Sequence, residues 1–183
     1  MRKLNVLEMN RISVAEFKNS AKTPLIVVLD NVRSMYNVGS VFRTADAFRI
    51  EAIYLCGITS RPPHAEIHKT ALGAEDSVEW KYFNDTADAV NELKANGYTV
   101  MAVEQAEGSI MLNDLHNRLN TSDATDHKLA IILGNEVKGV RQDVIDMCDA
   151  CIEIPQYGTK HSLNVSTAAG IVIWQIFQLY PTL

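Results

Sequence analysis

The run Leu25-Ile-Val-Val-Leu29, entered through Pro24, most constrains what this chain can fold into. Its five apolar residues have the length of a strand. A strand without polar alternation is covered on both faces, the condition of a strand inside a parallel sheet. The rest of the chain agrees. Further strands are expected at Ala52–Cys56, Val78–Phe83, Thr99–Val103, Leu129–Leu133 and Cys151–Ile154, the first, fourth and fifth of these closed by Gly57, Gly134 and Pro155. Between them, a short helix is opened by the capping-box spacing Ser13–Glu16. A second, capped by Asn37, buries Val38, Val41, Phe42, Ala45 and Phe48 or Arg49 at helical spacing and leaves Arg43 off that face. A third runs from Asp85 to Asn96 and is stopped by Gly97. Short helices are expected near Leu112–Leu119 and Arg141–Cys148, and a long one, capped by Ser162, reaches about Tyr180. Thr59–Ala74, with two prolines and two histidines, reads as a loop. Strand and helix alternating throughout predict an α/β fold, a parallel sheet with helices on both faces, in one domain of residues 1–183.

Composition excludes several classes. With 183 residues, 47% hydrophobic and 21% charged, the chain is neither disordered nor fibrous. The longest apolar run, Ala168–Ile173, falls far short of the roughly 20 residues that span a bilayer. Met1–Asn10 has no apolar core of a secretion signal, and three cysteines make no disulfide framework, so no membrane is expected and the cytoplasm is the expected location. The net charge of −5 disfavours loose, salt-driven binding over a broad surface, and DNA is not an expected partner. That charge is unevenly spread: residues 1–22 carry +3, 23–74 carry +1, 75–126 carry −8 and 127–183 carry −1. A local positive patch is compatible with it.

Ligands of open α/β sheets bind outside the carboxyl ends of the strands. Three polar, glycine-containing segments follow strands here. They contain Asn37-x-Gly39-x-x-x-Arg43-x-Ala45, Gly134-x-Glu136-x-x-Gly139, and Ile154-Pro155 followed by Ser162-Leu163-Asn164-Val165-Ser166-x-Ala168. None is a Walker A loop and none is a GxGxxG turn. Singly, each reads as a strand-to-helix turn. In this order and spacing, over about residues 24–178, they make the chain resemble the SpoU (TrmH-like) family of RNA ribose 2′-O-methyltransferases, within the SPOUT superfamily.

The resemblance implies a C-terminal deep trefoil knot formed by about residues 129–183, against the general rule that chains avoid knots. It implies the cofactor S-adenosylmethionine, with adenosine held near Val103, Gly134, Ile154 and Leu163, and with Gly134 and Gly158 admitting close backbone approach. The implied reaction moves a methyl group from a sulfonium to a ribose 2′-hydroxyl. Arg43 is the implied catalytic residue. An arginine holds its proton strongly, so general base and clamp of phosphate and hydroxyl both stand as its role. Asn37, Ser162 and Asn164 would orient Arg43 and the ribose, and Glu136 would pair with Arg43 or position its loop. The partners implied are RNA, tRNA ahead of rRNA, and a second copy of the chain. A C-terminal helix apolar on most sides, from Ile171 to Leu179, is either a central core helix or one that also buries a face against another subunit, and the resemblance favours the homodimer.

Weaker signals surround these. Arg33, Arg61, Lys69 and Lys160 are candidate RNA contacts, and Arg2, Lys3, Arg11, Lys18 and Lys22 give a basic arm over residues 1–23 that can reach an RNA backbone. His161 is an alternative base. His64-x-x-x-His68 has helical ligand spacing, but no third ligand is evident and no metal is expected. Cys148-x-x-Cys151 lacks a second pair and reads as packing. Three other functions fit parts of the pattern: an RNA base methyltransferase of the same superfamily, a non-catalytic RNA-binding protein that kept the fold, and a flavodoxin-like nucleotide binder.

Overall fold

The computed structural model describes residues 1–119 and 127–180. The end of the acidic segment, 120–126, and the last three residues of the segment expected to be knotted lie outside the described residues. In chain order the elements are α1 (Val14–Asn19), β1 (Thr23–Asp30), α2 (Met35–Ala47), β2 (Ile50–Cys56), α3 (Ala65–Ala71), α4 (Ala74–Ser77), β3 (Glu79–Phe83), α5 (Thr86–Ala95), β4 (Thr99–Val103), β5 (Ile110–Met111), α6 (Leu115–Arg118), β6 (Leu129–Leu133), α7 (Gln142–Ile145), β7 (Ala150–Glu153) and α8 (Val165–Phe177). The strands form one sheet in the order β3-β2-β1-β6-β4-β7-β5, and every pairing is parallel.

β1 lies inside the sheet, with Val27 paired to Ile53 of β2 and to Ile131 of β6. Leu25, Val27 and Leu29 pack into a core built with Val38, Val41 and Phe42 of α2 and Ala169, Val172 and Ile176 of α8. Ile26 and Val28 face the opposite core, with Ala89, Val90 and Leu93 of α5 and Val144 of α7. Both faces are covered, which is why the run shows no polar alternation. Each such side chain contributes about 1.5–3 kcal/mol by leaving water. No helix among the described residues is long and apolar enough to cross a membrane.

Several boundaries differ from expectation, each for a local reason. Among the described residues the sheet has seven strands rather than six, because the two-residue β5 adds an edge beside β7 through Ile110 and Ile152. The stretch expected as a loop over Thr59–Ala74 holds α3 and the start of α4, and His64 caps α3 by accepting from Glu66 N through Nδ1 at 3.1 Å. Ser34, not Asn37, caps α2: its hydroxyl accepts from Asn37 N at 3.3 Å, which leaves the Asn37 side chain, 8% exposed, for other partners. Asn164, not Ser162, caps α8, accepting from Ser166 N and Thr167 N. Helix α8 ends at Phe177, and Leu179 and Tyr180 follow in turn hydrogen bonds. Strand β7 lies one residue earlier than expected, and α7 is a single turn. The capping box at Ser13 and the Asp85 cap are both formed.

Candidate active site

Parallel strands send their following loops to one edge of the sheet. There the loops after β4, β6 and β7 enclose a cleft of about 1190 Å³. Val103, Gly134, Ile154 and Leu163 all lie on its wall, and so do Glu136, Ser162 and Asn164. Among the described residues the lining carries the carboxylates of Glu104, Glu107, Glu136, Asp146 and Glu153, against Lys138 as its one lysine or arginine. A concave surface of that sign favours a cationic ligand.

The floor of the cleft is a turn folded tightly on itself. Asn135 and Gly139 exchange backbone hydrogen bonds at 3.0 and 2.8 Å. A Cβ at Gly134 would sit 2.1 Å from the Gly139 carbonyl carbon. Gly139 has φ of +67°, and a Cβ there would fall 2.1 Å from Glu104 Oε2, which accepts from Val140 N. At Gly158 a Cβ would meet nothing within 4 Å among the described residues, so the chain's own packing does not require a glycine there.

One run of hydrogen bonds ties the three segments together. Asn164 Nδ2 donates to Asn37 Oδ1 at 3.1 Å. Asn37 Nδ2 donates to Glu136 Oε1 at 3.0 Å. The Glu136 carboxylate also accepts from the backbone amides of Arg33 and Ser34, at 3.0 and 2.9 Å. Burial would raise the Glu136 pKa, but the Arg33 and Ser34 amides, with Asn37, outweigh it and hold the carboxyl below the usual carboxylate range. Glu136 thus holds the start of α2, and among the described residues it makes no ion pair with Arg43. On its other side Asn164 is fixed by Ser166 Oγ, which donates to Oδ1 at 2.7 Å.

Arg43 is exposed on α2, and among the described residues no hydrogen bond or ion pair holds its side chain. Ser162 is exposed at the cleft and is likewise without a side-chain bond among the described residues. Of the candidate RNA contacts, Arg33 and Lys160 are exposed, Lys69 is paired with Glu66 at 2.6 Å, and Arg61 lies over the Tyr82 ring. His161 lines the cleft, and its carbonyl accepts from Gln105 Nε2 at 2.7 Å. His64 and His68 serve separate ends: the first caps α3, the second bonds Glu75 at 2.6 Å. Burial pushes the Cys148 thiol up to about 12 and raises that of Cys151, so both stay protonated.

The sequence reading missed Asn31, Glu104 and Asn135. Asn135 Nδ2 donates to Asn31 O at 2.9 Å, and Asn135 Oδ1 accepts from Val137 N at 3.0 Å. An asparagine after a glycine in a polar turn is itself a signal for such a bond. Nothing comparable distinguishes Glu104.

A model of the SpoU rRNA Methylase family matches residues 24–174. The chain belongs to the SpoU family. Its SpoU relatives include the 23S rRNA (guanosine-2′-O-)-methyltransferase RlmB of Neisseria meningitidis, 31% identical over 85% of this chain and 59% of that protein. The chain thus spans about 59% of the length of that relative. Among solved structures, this SpoU chain is similar to an AdoMet-bound rRNA methyltransferase from Sinorhizobium meliloti, with TM-score 0.76, 27% identity, and coverage of 91% of this chain and 61% of the other. The A. aeolicus TrmH/SpoU tRNA modifying enzyme shares the fold at TM-score 0.76 and 24% identity, over 96% of this chain and 84% of that one.

Proposed function

We propose that this SpoU chain is an S-adenosylmethionine-dependent RNA methyltransferase acting on a ribose 2′-hydroxyl, with tRNA as the substrate class and rRNA as the alternative. The observation that carries this reading is the hydrogen-bonded run Asn164–Asn37–Glu136, which fixes the helix bearing Arg43 against the cleft. The cleft suits the cofactor chemically. Val103, Ile154 and Leu163 offer apolar surface to a purine, the loop backbones offer amides and carbonyls to its edge, and the surplus of carboxylates favours a sulfonium. When bound, the cofactor supplies an electrophilic methyl group.

The protein's share is to place the ribose and handle its proton. Arg43 keeps its own proton and acts as a clamp, donating to the substrate phosphate and to the 2′-oxygen, so that a phosphate oxygen takes the hydroxyl proton. Asn37 and Asn164 hold α2 and α8 in register, and Ser162 contributes a hydroxyl at the cleft rim. Arg33 and Lys160 give phosphate contacts.

The reading includes a homodimer in the cytoplasm. Its support is the outer face of α8, where Trp174 is 51% and Ile171 38% exposed. It also includes the trefoil knot. Support comes from strand order: β7 lies between β4 and β5, which are consecutive in the chain, an order that a later segment threaded through the earlier connection would give.

Methyl transfer from labelled S-adenosylmethionine to bulk tRNA and, separately, bulk rRNA from cells lacking the protein tests this. Label entering one pool is the expected result. No label in either, with cofactor binding measured, would leave the fold without the reaction.

A further inference from the structure

A second concavity lies apart from the cleft, at the carboxyl ends of β2 and β3. It measures about 660 Å³ and is lined by the loop Gly57–His64 together with Trp80 and Tyr82. Among the described residues the lining contains no carboxylate, in a chain whose net charge is −5. Its cation, Arg61, lies with its guanidinium 4.2 Å from the centre of the Tyr82 ring, and among the described residues it enters no salt bridge. The Tyr82 ring lies beneath the guanidinium carbon, and Arg61 as a whole is exposed. Trp80 is only half-buried. His64 accepts through Nδ1, which leaves its ring proton on Nε2.

The loop is held rather than loose. Tyr82 Oη donates to Gly57 O at 2.9 Å. Thr59, 3% exposed, donates to Leu29 O at 3.0 Å and accepts from Val32 N at 2.9 Å. Ile58 N donates to Asn31 Oδ1 at 3.2 Å, and Asn31 O is the acceptor of Asn135. The concavity is thereby fixed to the connection between β1 and α2 that leads to Asn37. It lies two to three strand spacings from β6, about 10–15 Å along the same sheet edge.

A rigid cup with an unneutralised guanidinium stacked on a ring, a second aromatic and no carboxylate fits an anionic ligand with a flat π-face. Sequence-tolerant RNA contacts combine those two features, a cation for the backbone and a ring for the base. We propose that this cup is a separate RNA subsite, which holds one unpaired nucleotide flanking the methylated one. The base lies against the Arg61–Tyr82 stack and Trp80, and Arg61 meets its phosphate. The proposal rests on the RNA reading above and adds a contact outside the reacting centre.

The test is binding of a fluorescein-labelled, mixed-sequence single-stranded octaribonucleotide, read by anisotropy, to the full chain and to Arg61→Ala, Arg61→Lys and Trp80→Leu. Each variant's thermal unfolding is recorded beside the wild type. Arg61→Ala and Trp80→Leu are expected to weaken binding about tenfold. Arg61→Lys, which keeps charge but loses the planar stack, should recover little. Cofactor affinity stays unchanged, KM for RNA rises while kcat holds, and the Trp80 part of the emission falls when the oligonucleotide binds. Equal affinity of wild type and variants overturns the subsite, as does inorganic phosphate displacing the oligonucleotide mole for mole. Failure of the wild type to bind the oligonucleotide overturns it too. Methyl transfer measured in parallel separates the two ideas. Transfer with unchanged variant affinity sinks the subsite alone, and variant-sensitive binding without transfer sinks the reaction alone.

Discussion

Asn37 can join α2 to two other segments because Ser34 takes the cap. Had Asn37 capped the helix, its carbonyl oxygen would be spent on a backbone amide and Asn164 would lose its acceptor. The residues were legible in the sequence through the three motifs they stand in, which resemble those of the SpoU family. Their partners were not, because Glu136 is separated by 99 residues from Asn37 and 103 from Arg33. Arg43 is the opposite case: exposed, and unbonded among the described residues, it adds nothing visible to the fold. Arg43→Ala should therefore change unfolding free energy by less than about 0.5 kcal/mol. It should leave cofactor affinity intact and lower methyl transfer by about a hundredfold or more, measured at saturating cofactor. Glu136 has a pH signature. Its folded pKa is depressed, so its stabilisation is present above the unfolded carboxylate value of about 4.3 and is lost as pH falls through the folded value. Glu136→Gln should cost about 1 kcal/mol at pH 7, given its exposure, and the gap to wild type should close in acid. Urea unfolding at both pH values measures it.

At the level of elements, the helix ends and the β6–α7 turn carry the site. Ser162 and Asn164 are both good caps two residues apart, and propensity alone does not choose between them. Tertiary contact chooses, since only Asn164 offers an amide to Asn37 while its oxygen caps α8. β5 escaped the reading because two residues carry no periodicity, and α3 because Pro62 and Pro63 masked the helix that follows them. The turn gives a paired prediction. Gly139→Ala meets both a positive φ and the Glu104 carboxylate, and should destabilise by about 1–2 kcal/mol and weaken cofactor binding. Gly158→Ala meets nothing and should leave unfolding unchanged. Thermal unfolding and cofactor titration of the two variants compare them.

Across the whole molecule, two cores on one parallel sheet follow from strands without polar alternation, which is why the architecture was readable from Leu25–Leu29 onward. Strand order was not readable, since β6 enters between β1 and β4 through contacts distant in sequence. The outer face of α8 carries an aromatic group partly open to water, where Phe48, Trp174 and Phe177 cluster with ring centres 5.2–6.1 Å apart. Trp174→Lys should convert the proposed dimer to a folded monomer, seen by sedimentation velocity beside an unchanged circular dichroism spectrum. A dimer that survives the change would place the interface elsewhere. The central claim is the chemistry of the acceptor, and one measurement addresses it directly: mass spectrometry of nucleosides from RNA methylated by the wild-type chain, fragmented to separate base from sugar. The methyl mass on the ribose is the predicted result. The methyl mass on a base would contradict the assignment of Arg43 and the ribose hydroxyl while keeping the fold and the cofactor.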